Sequence, residues 1–181
     1  MSARSTLALE NIRCLEQMLS LLDRIDADRY ARSAPPVFPS GIGSHVRHSL
    51  DHYANFLSGL EFGTVDYESR QRGTDVETDP DSARRQIAEI IKGLKKLTAS
   101  DEDQALHVHV EDGGAGPECV PLASSSVRRE LDFLLSHTVH HNALIAVALR
   151  IDGFDPGEEF GVAPSTLRYL QRNGDMRPIR R

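Results

Sequence analysis

Apolar side chains recur at spacings of three and four residues in four separate stretches of the chain. This spacing places them on one face of an α-helix, and it constrains the fold more than any other feature. The predicted helices cover residues 6–31, residues 43–61, a stretch from Pro80 that carries its stripe to Leu97, and a stretch from after Ser126 to about Ile151. Four helices of about twenty residues predict an all-α protein built as a four-helix bundle.

Residues that favour helix ends mark the borders of these stretches. Three prolines in SAPPVFPSG stop the first helix, and Asp152-Gly153 stops the fourth. The predicted N-caps are Thr6 for the first helix, Ser40 or Ser44 for the second, Asp79 before Pro80 for the third, and the triplet Ser124, Ser125 and Ser126 for the fourth.

The connections differ in character. Residues 63–79 are polar and predict a long loop, ordered or partly ordered. In residues 104–122 apolar and polar side chains alternate around the glycine-rich EDGGAG, which predicts a small β-hairpin insertion. His107 and His109 share one face of that hairpin; they could bind a metal as a pair, but the alternation favours a solvent-facing role. Residues 153–181 form a C-terminal extension with a short helix from Pro164 to Gln171.

Length and composition indicate one ordinary domain, residues 1–181, with a bundle core of about 6–152. The net charge of −6 disfavours a nucleic-acid partner. We expect no membrane partner either, since no apolar run approaches about 18 residues, and Glu10 comes too early for a signal peptide. Cys14 and Cys119 form no CxxC pair, which favours two reduced thiols in a cytoplasmic protein.

Six of the eight histidines lie in two short windows, SHVRHSLDHY and SHTVHHNALI. In the second window, His137 and His141 stand one turn apart on a single helix face. Their neighbours on this face are apolar, so the face is predicted to turn inward: Leu134, Leu144, Ile145 and Ala148. Two imidazoles one turn apart on a helix can ligate one ion.

The first window supplies His45, His48 and His52, which fall within an arc of about 60° beside the apolar stripe. One of them could give a third ligand across the bundle, with the others as pocket-lining residues or alternative ligands. Asp51 could orient a ligand or act as a fourth one. His140 could replace one member of the pair His137 and His141 as a ligand, or it could face a neighbouring helix or the pocket rim.

The alternative to a metal site is a bundle with ordinary buried histidines. Burying several imidazoles without acceptors costs on the order of 1–3 kcal/mol each, and a shared cation removes that cost. The joint placement of the two windows therefore favours one divalent ion, although imidazole suits zinc, nickel, iron and copper alike.

These motifs resemble those of the DinB-like superfamily, also called the YfiT-like metal-dependent hydrolases. The resemblance rests on His48 with Asp51 in HSLD, on His137 with His141 in HTVHH, and on the helix order across residues 6–152. It implies a four-helix bundle with a three-histidine site in which His48, His137 and His141 are the metal ligands. The same arrangement recurs in mycothiol-dependent isomerases, bacillithiol transferases and one domain of ergothioneine-type sulfoxide synthases.

The sequence departs from this pattern in its hairpin, in the segment FGVAPSTLRYL and in the additional His45 and His52. The second domain of the sulfoxide synthases is absent, so their reaction is not expected.

Two functional hypotheses follow. The first is a metal-dependent hydrolase, or a transferase of a low-molecular-weight thiol, that acts on a small molecule. Here Asp51 would orient a ligand or act as the catalytic base, with Arg47, Tyr53 and residues 63–79 as weaker candidates for substrate contacts. The second is a non-enzymatic metal-binding or stress-response module with a structural or vestigial site. A homodimer paired along its helices is compatible with either hypothesis.

Overall fold

The computed structural model describes residues 5–34, 38–69, 74–110 and 121–173. Within these ranges the helices are α1 (Thr6–Leu22), α2 (Ala27–Ala31), α3 (Ile42–Phe62), α4 (Pro80–Leu94), α5 (Val127–Ile151) and α6 (Pro164–Asn173). The strands are β1 (Ser33–Ala34), β2 (Phe38–Gly41), β3 (Thr64–Val65), β4 (Ala105–His109) and β5 (Leu122–Ser126). The prediction of a mainly helical protein is confirmed.

The four long helices enclose the hydrophobic core. Helix α1 packs against α4 and α5, and α3 packs against the same two helices. The stripes predicted from the sequence supply side chains between them, including the fully buried Leu15, Leu50 and Ile87. Phe56 and Leu131, which are not among the predicted positions, are also fully buried there. None of the helices in the described ranges combines the length and apolar character needed to cross a bilayer.

Two predicted N-caps and one predicted helix end are wrong. Helix α1 ends at Leu22 rather than at residue 31, because Asp26 accepts a hydrogen bond from the Arg29 backbone N–H and caps a separate helix, α2. Ser5, not Thr6, caps α1 by accepting from the Ala8 N–H at 2.9 Å.

Helix α3 has Gly41 as its N-cap, without a side-chain cap, so the predicted Ser40 or Ser44 cap is also wrong. A Cβ at residue 41 would lie 2.9 Å from the carbonyl oxygens of Ala31 and Arg32, so the chain needs glycine there. By contrast, the predicted caps at Asp79 and in the serine triplet, through Ser126, are confirmed.

The predicted hairpin is present but belongs to a larger sheet. Strands β4 and β5 are antiparallel with Ala105 opposite Ser126, and β3 joins the other edge of β4 in parallel. The glycine-rich turn lies outside the described residues. Residues 63–79, predicted to be a loop, therefore contain a strand, and they also contain a 3-10 turn over Asp75–Glu77.

A buried polar network fixes α1, α3 and α5 to one another. The Tyr53 hydroxyl donates to Asn11 Oδ1 at 2.7 Å and accepts from the Thr138 hydroxyl at 3.1 Å. Asn11 Nδ2 also donates to the Leu131 carbonyl at 3.0 Å. Because Tyr53 follows His52 and Thr138 follows His137, this network sets the register of the histidine-bearing turns.

Replacing Tyr53 by phenylalanine should destabilise the protein by about 1–3 kcal/mol, because it leaves the buried Asn11 Oδ1 without its donor, whereas Thr138 keeps its hydrogen bond to the Leu134 carbonyl. Urea unfolding followed by circular dichroism measures the change. Tyr169→Phe is the matched control, since that tyrosine is 63% exposed and should tolerate the change. Equal stabilities for the two variants would show that the network contributes nothing.

The C-terminal extension packs onto the helices. Phe154 lies under the guanidinium groups of Arg24 and Arg29, at 5.2 and 5.1 Å from its ring centre. Arg29 also pairs with Asp152 at 2.8 Å, and Phe160 is buried. These contacts hold the chain after α5 against the start of α2.

Candidate metal centre

Five imidazoles from two helices meet at one place in the fold. Helix α3 contributes His45, His48 and His52, and α5 contributes His137 and His141. The Nε2 atom of His137 lies 3.2 Å from Nε2 of His48 and 3.2 Å from Nε2 of His141. The two helices thus bring together the three residues that the resemblance names as ligands.

These short separations fit ligands of one ion better than hydrogen bonds between rings. A ring nitrogen carries either one proton or one in-plane lone pair, so His137 Nε2 can make a good hydrogen bond to only one of its two neighbours. Metal–nitrogen bonds of about 2.0–2.1 Å place neighbouring ligand nitrogens about 2.8–3.4 Å apart for angles between 90° and tetrahedral. A shared cation accounts for both 3.2 Å contacts at once.

His52 belongs to the same cluster. Its side chain is 6% exposed, and its Nδ1 lies 2.9 Å from the His48 carbonyl oxygen. One ligand atom each from His48, His52 and His137 lie within 4.8 Å of one another, which makes these three a group that could hold a metal ion. The sequence left His52 open as an alternative ligand, and the structure brings it beside the predicted set.

His45 contacts the far side of His141. The two Nδ1 atoms are 3.1 Å apart, while His141 directs Nε2 towards His137. A hydrogen bond on one ring nitrogen orients the other towards a metal, so His45 is placed to position His141. Burial, followed by the neighbouring imidazoles, lowers the pKa of His141 to about 3, and burial also lowers the pKa of His45. Both rings are therefore neutral near pH 7, which is the state that binds metal.

Two aromatic side chains line the cluster on one side. Tyr67 stacks on His52 with ring centres 5.1 Å apart, and Phe133 stacks on His137 at 5.6 Å. The Tyr67 hydroxyl donates to the fully buried carboxylate of Glu130 at 2.8 Å. Burial and this carboxylate raise the pKa of Tyr67, so it stays a neutral donor.

Asp51 forms an ion pair with Arg47 on the preceding turn of α3, at 3.2 Å, and Arg47 also pairs with Glu77 at 3.2 Å. The Asp51 side chain is 13% exposed and lines a polar cleft of about 470 Å³ together with Asn55 and Thr74. The role of Asp51 as base or orienting group stays a prediction.

The remaining histidines lie outside the cluster or at its edge. His140 is exposed, with its ring centre 5.2 Å from that of His141. On β4, His107 is exposed, and His109 pairs with Asp66 at 3.5 Å. The predicted solvent-facing role therefore fits His107 and holds only in part for His109.

Cys14 is buried in α1, and its sulfur accepts a hydrogen bond from Asn142 Nδ2 at 3.4 Å. Burial raises the pKa of this thiol to about 12. Cys119 lies outside the described residues.

The Cys14 thiol should therefore react with a disulfide reagent at pH 8 more slowly than a free cysteine, by a factor on the order of 1000, because so little of it is thiolate. The measurement uses Cys119→Ser protein, so that only one thiol reports. Unfolding in urea should restore the ordinary rate. Rapid reaction of the folded protein would contradict the buried placement.

No protein-family model matches this chain. It is similar to FK506-binding protein 5 of the fungus Rhizopus delemar, with 28% identity over 109 residues. This alignment covers 60% of the chain but only 28% of that protein, so the chain matches little more than a quarter of its relative.

Proposed function

We propose that this chain is a metal-binding protein of the DinB-like superfamily, built on a four-helix bundle of α1, α3, α4 and α5. The packing of α1 and α3 against α4 and α5 supports the bundle. The observation that carries the proposal is the position of His137 Nε2, which lies 3.2 Å from a ring nitrogen of α3 and from another of α5.

The proposed activity is metal-dependent hydrolysis, or transfer of a low-molecular-weight thiol, on a small molecule. A divalent ion bound by neutral imidazoles keeps its full charge and supplies an activated water or a bound thiolate. His48, His137 and His141 would hold this ion, and His45 would keep His141 in the required orientation. Zinc, nickel and iron all suit these ligands.

The residues around the histidines suggest how the substrate is handled. Tyr67 and Phe133 form an apolar wall beside His52 and His137, which would exclude water from that side. Asp51 is the proposed base, and Arg47 holds its carboxylate in place at 3.2 Å. The cleft that Asp51 lines provides hydroxyl and amide groups for a polar substrate.

Assays on metal-loaded protein test this function. Protein purified without an affinity tag is stripped with a chelator and then loaded with zinc, nickel or iron(II). The loaded form should bind one ion per chain, and should either hydrolyse nitrophenyl esters or couple a small thiol to chlorodinitrobenzene. The stripped form should do neither.

Asp51→Asn should lower kcat on the order of 100-fold or more if Asp51 is the base. Asp132→Asn, which changes an exposed carboxylate on α5, is the matched control. A loaded protein that gains thermal stability but is inactive with every ester and thiol would instead support the non-enzymatic metal-binding module.

A further inference from the structure

We infer that His52 is a fourth nitrogen ligand, so that the ion is held by four imidazoles: His48, His52, His137 and His141. This inference rests on the proposed metal binding, and it extends the three-histidine set that the sequence resemblance implies. It also narrows the ions that can support a reaction.

The first support is the orientation of the His52 ring. Its Nδ1 lies 2.9 Å from the His48 carbonyl oxygen, and a carbonyl oxygen can only accept. Nδ1 therefore carries the ring proton, and Nε2 carries the lone pair. A backbone carbonyl that fixes the tautomer in this way is the usual outer partner of a metal-ligating histidine.

The second support is position. A ligand atom of His52 lies within 4.8 Å of those of His48 and His137. His137 Nε2 is in turn 3.2 Å from the Nε2 atoms of both His48 and His141. His48 and His137 thus lie next to each other, with His52 in their group and His141 in contact with His137, so we infer that one ion between them reaches both remaining rings.

The third support is the way in which the His52 ring is held. It is stacked between His137, at 4.2 Å and 26°, and Tyr67, at 5.1 Å and 17°. With 6% of its surface exposed, the ring is held between these two neighbours and away from solvent. A ring already fixed in this way loses little rotational freedom when it ligates an ion.

Four protein nitrogens have a chemical consequence. Zinc is almost always four-coordinate in structural sites, so four imidazoles would close it to water and substrate. Nickel and iron accept five or six ligands and keep positions open. The inference therefore predicts that nickel or iron(II) supports turnover of small substrates, whereas zinc binds without supporting it.

Counting ring nitrogens tests the inference independently of activity. Tag-free protein is loaded with copper(II) as the probe, and pulsed electron paramagnetic resonance counts the imidazoles that bind it. The wild-type protein should give four. His52→Phe keeps an aromatic ring between Tyr67 and His137 but removes the nitrogens, and should give three with copper affinity at least about tenfold weaker. His107→Phe changes an exposed imidazole on β4, away from the cluster, and should leave both values unchanged.

The outcomes separate this inference from the proposed function. A wild-type count of three, with copper affinity unchanged in His52→Phe, overturns the fourth ligand and leaves the three-histidine proposal in place. No stoichiometric binding by the wild-type protein overturns both. The wild-type count needs no variant, so the inference stays testable even if His52→Phe fails to fold.

Discussion

His137→Ala is expected to abolish stoichiometric binding of a divalent ion, with affinity falling on the order of 100-fold or more. Loss of a partner that only orients a ligand costs 10–100-fold, so loss of a ligand should cost at least as much. His137 is the choice because its Nε2 lies 3.2 Å from both His48 and His141 and so joins the contributions of α3 and α5. Chelator competition with zinc and with nickel measures the affinity.

The control is His107→Ala, which removes an exposed imidazole from β4 and should bind metal like the wild-type protein. A second readout is thermal stability. An ion at 100 times its Kd stabilises the folded state by about 2.7 kcal/mol. The wild-type protein and His107→Ala should both show this gain in stability, and His137→Ala should lose it. Retention of tight binding by His137→Ala would contradict the proposed site.

Phe56→Ala should destabilise the protein by about 3–5 kcal/mol, the largest stability change that we expect from a single substitution in α3. The Phe56 ring is fully buried in the core between the long helices, so its removal loses apolar burial and leaves a cavity. Since a typical domain is stable by only about 5–15 kcal/mol, much of the variant should unfold on mild heating. Chemical denaturation measures the loss.

Phe62→Ala is the matched control, because that ring lies at the end of the same helix and is 78% exposed. Its effect should stay within about 0.5 kcal/mol. A Phe56→Ala variant as stable as Phe62→Ala would mean that α3 does not pack into the core as the structure shows.

The helices could be predicted from the sequence because each carries its own apolar stripe. Their exact ends could not, since they depend on contacts that a local pattern does not contain. Asp26 caps α2 and so separates it from α1. Gly41 starts α3 because the chain there passes within van der Waals distance of the Ala31 and Arg32 carbonyls. Strand β3 was missed because its two residues show no alternation and form a strand only beside β4.

The histidine cluster, too, could be predicted only in part from spacing along the sequence. Helical spacing alone places His137 and His141 on one face, and the structure keeps them together. Helical spacing could not show which of the α3 histidines is a ligand, because His45, His48 and His52 lie within about 60° of one another on their helix. In the structure, His48 lies against His137 of α5, and His52 is oriented by the His48 carbonyl. Both contacts depend on how α3 packs against α5, which the spacing along one helix does not contain.

Anomalous diffraction from crystals of the metal-loaded protein, collected at the absorption edge of the added ion, tests the shared site most directly. One peak per chain should appear between α3 and α5, about 2.0–2.1 Å from ring nitrogens of His48, His137 and His141. Peaks confined to surface residues, or imidazoles turned away from an empty centre at saturating metal, would contradict the account.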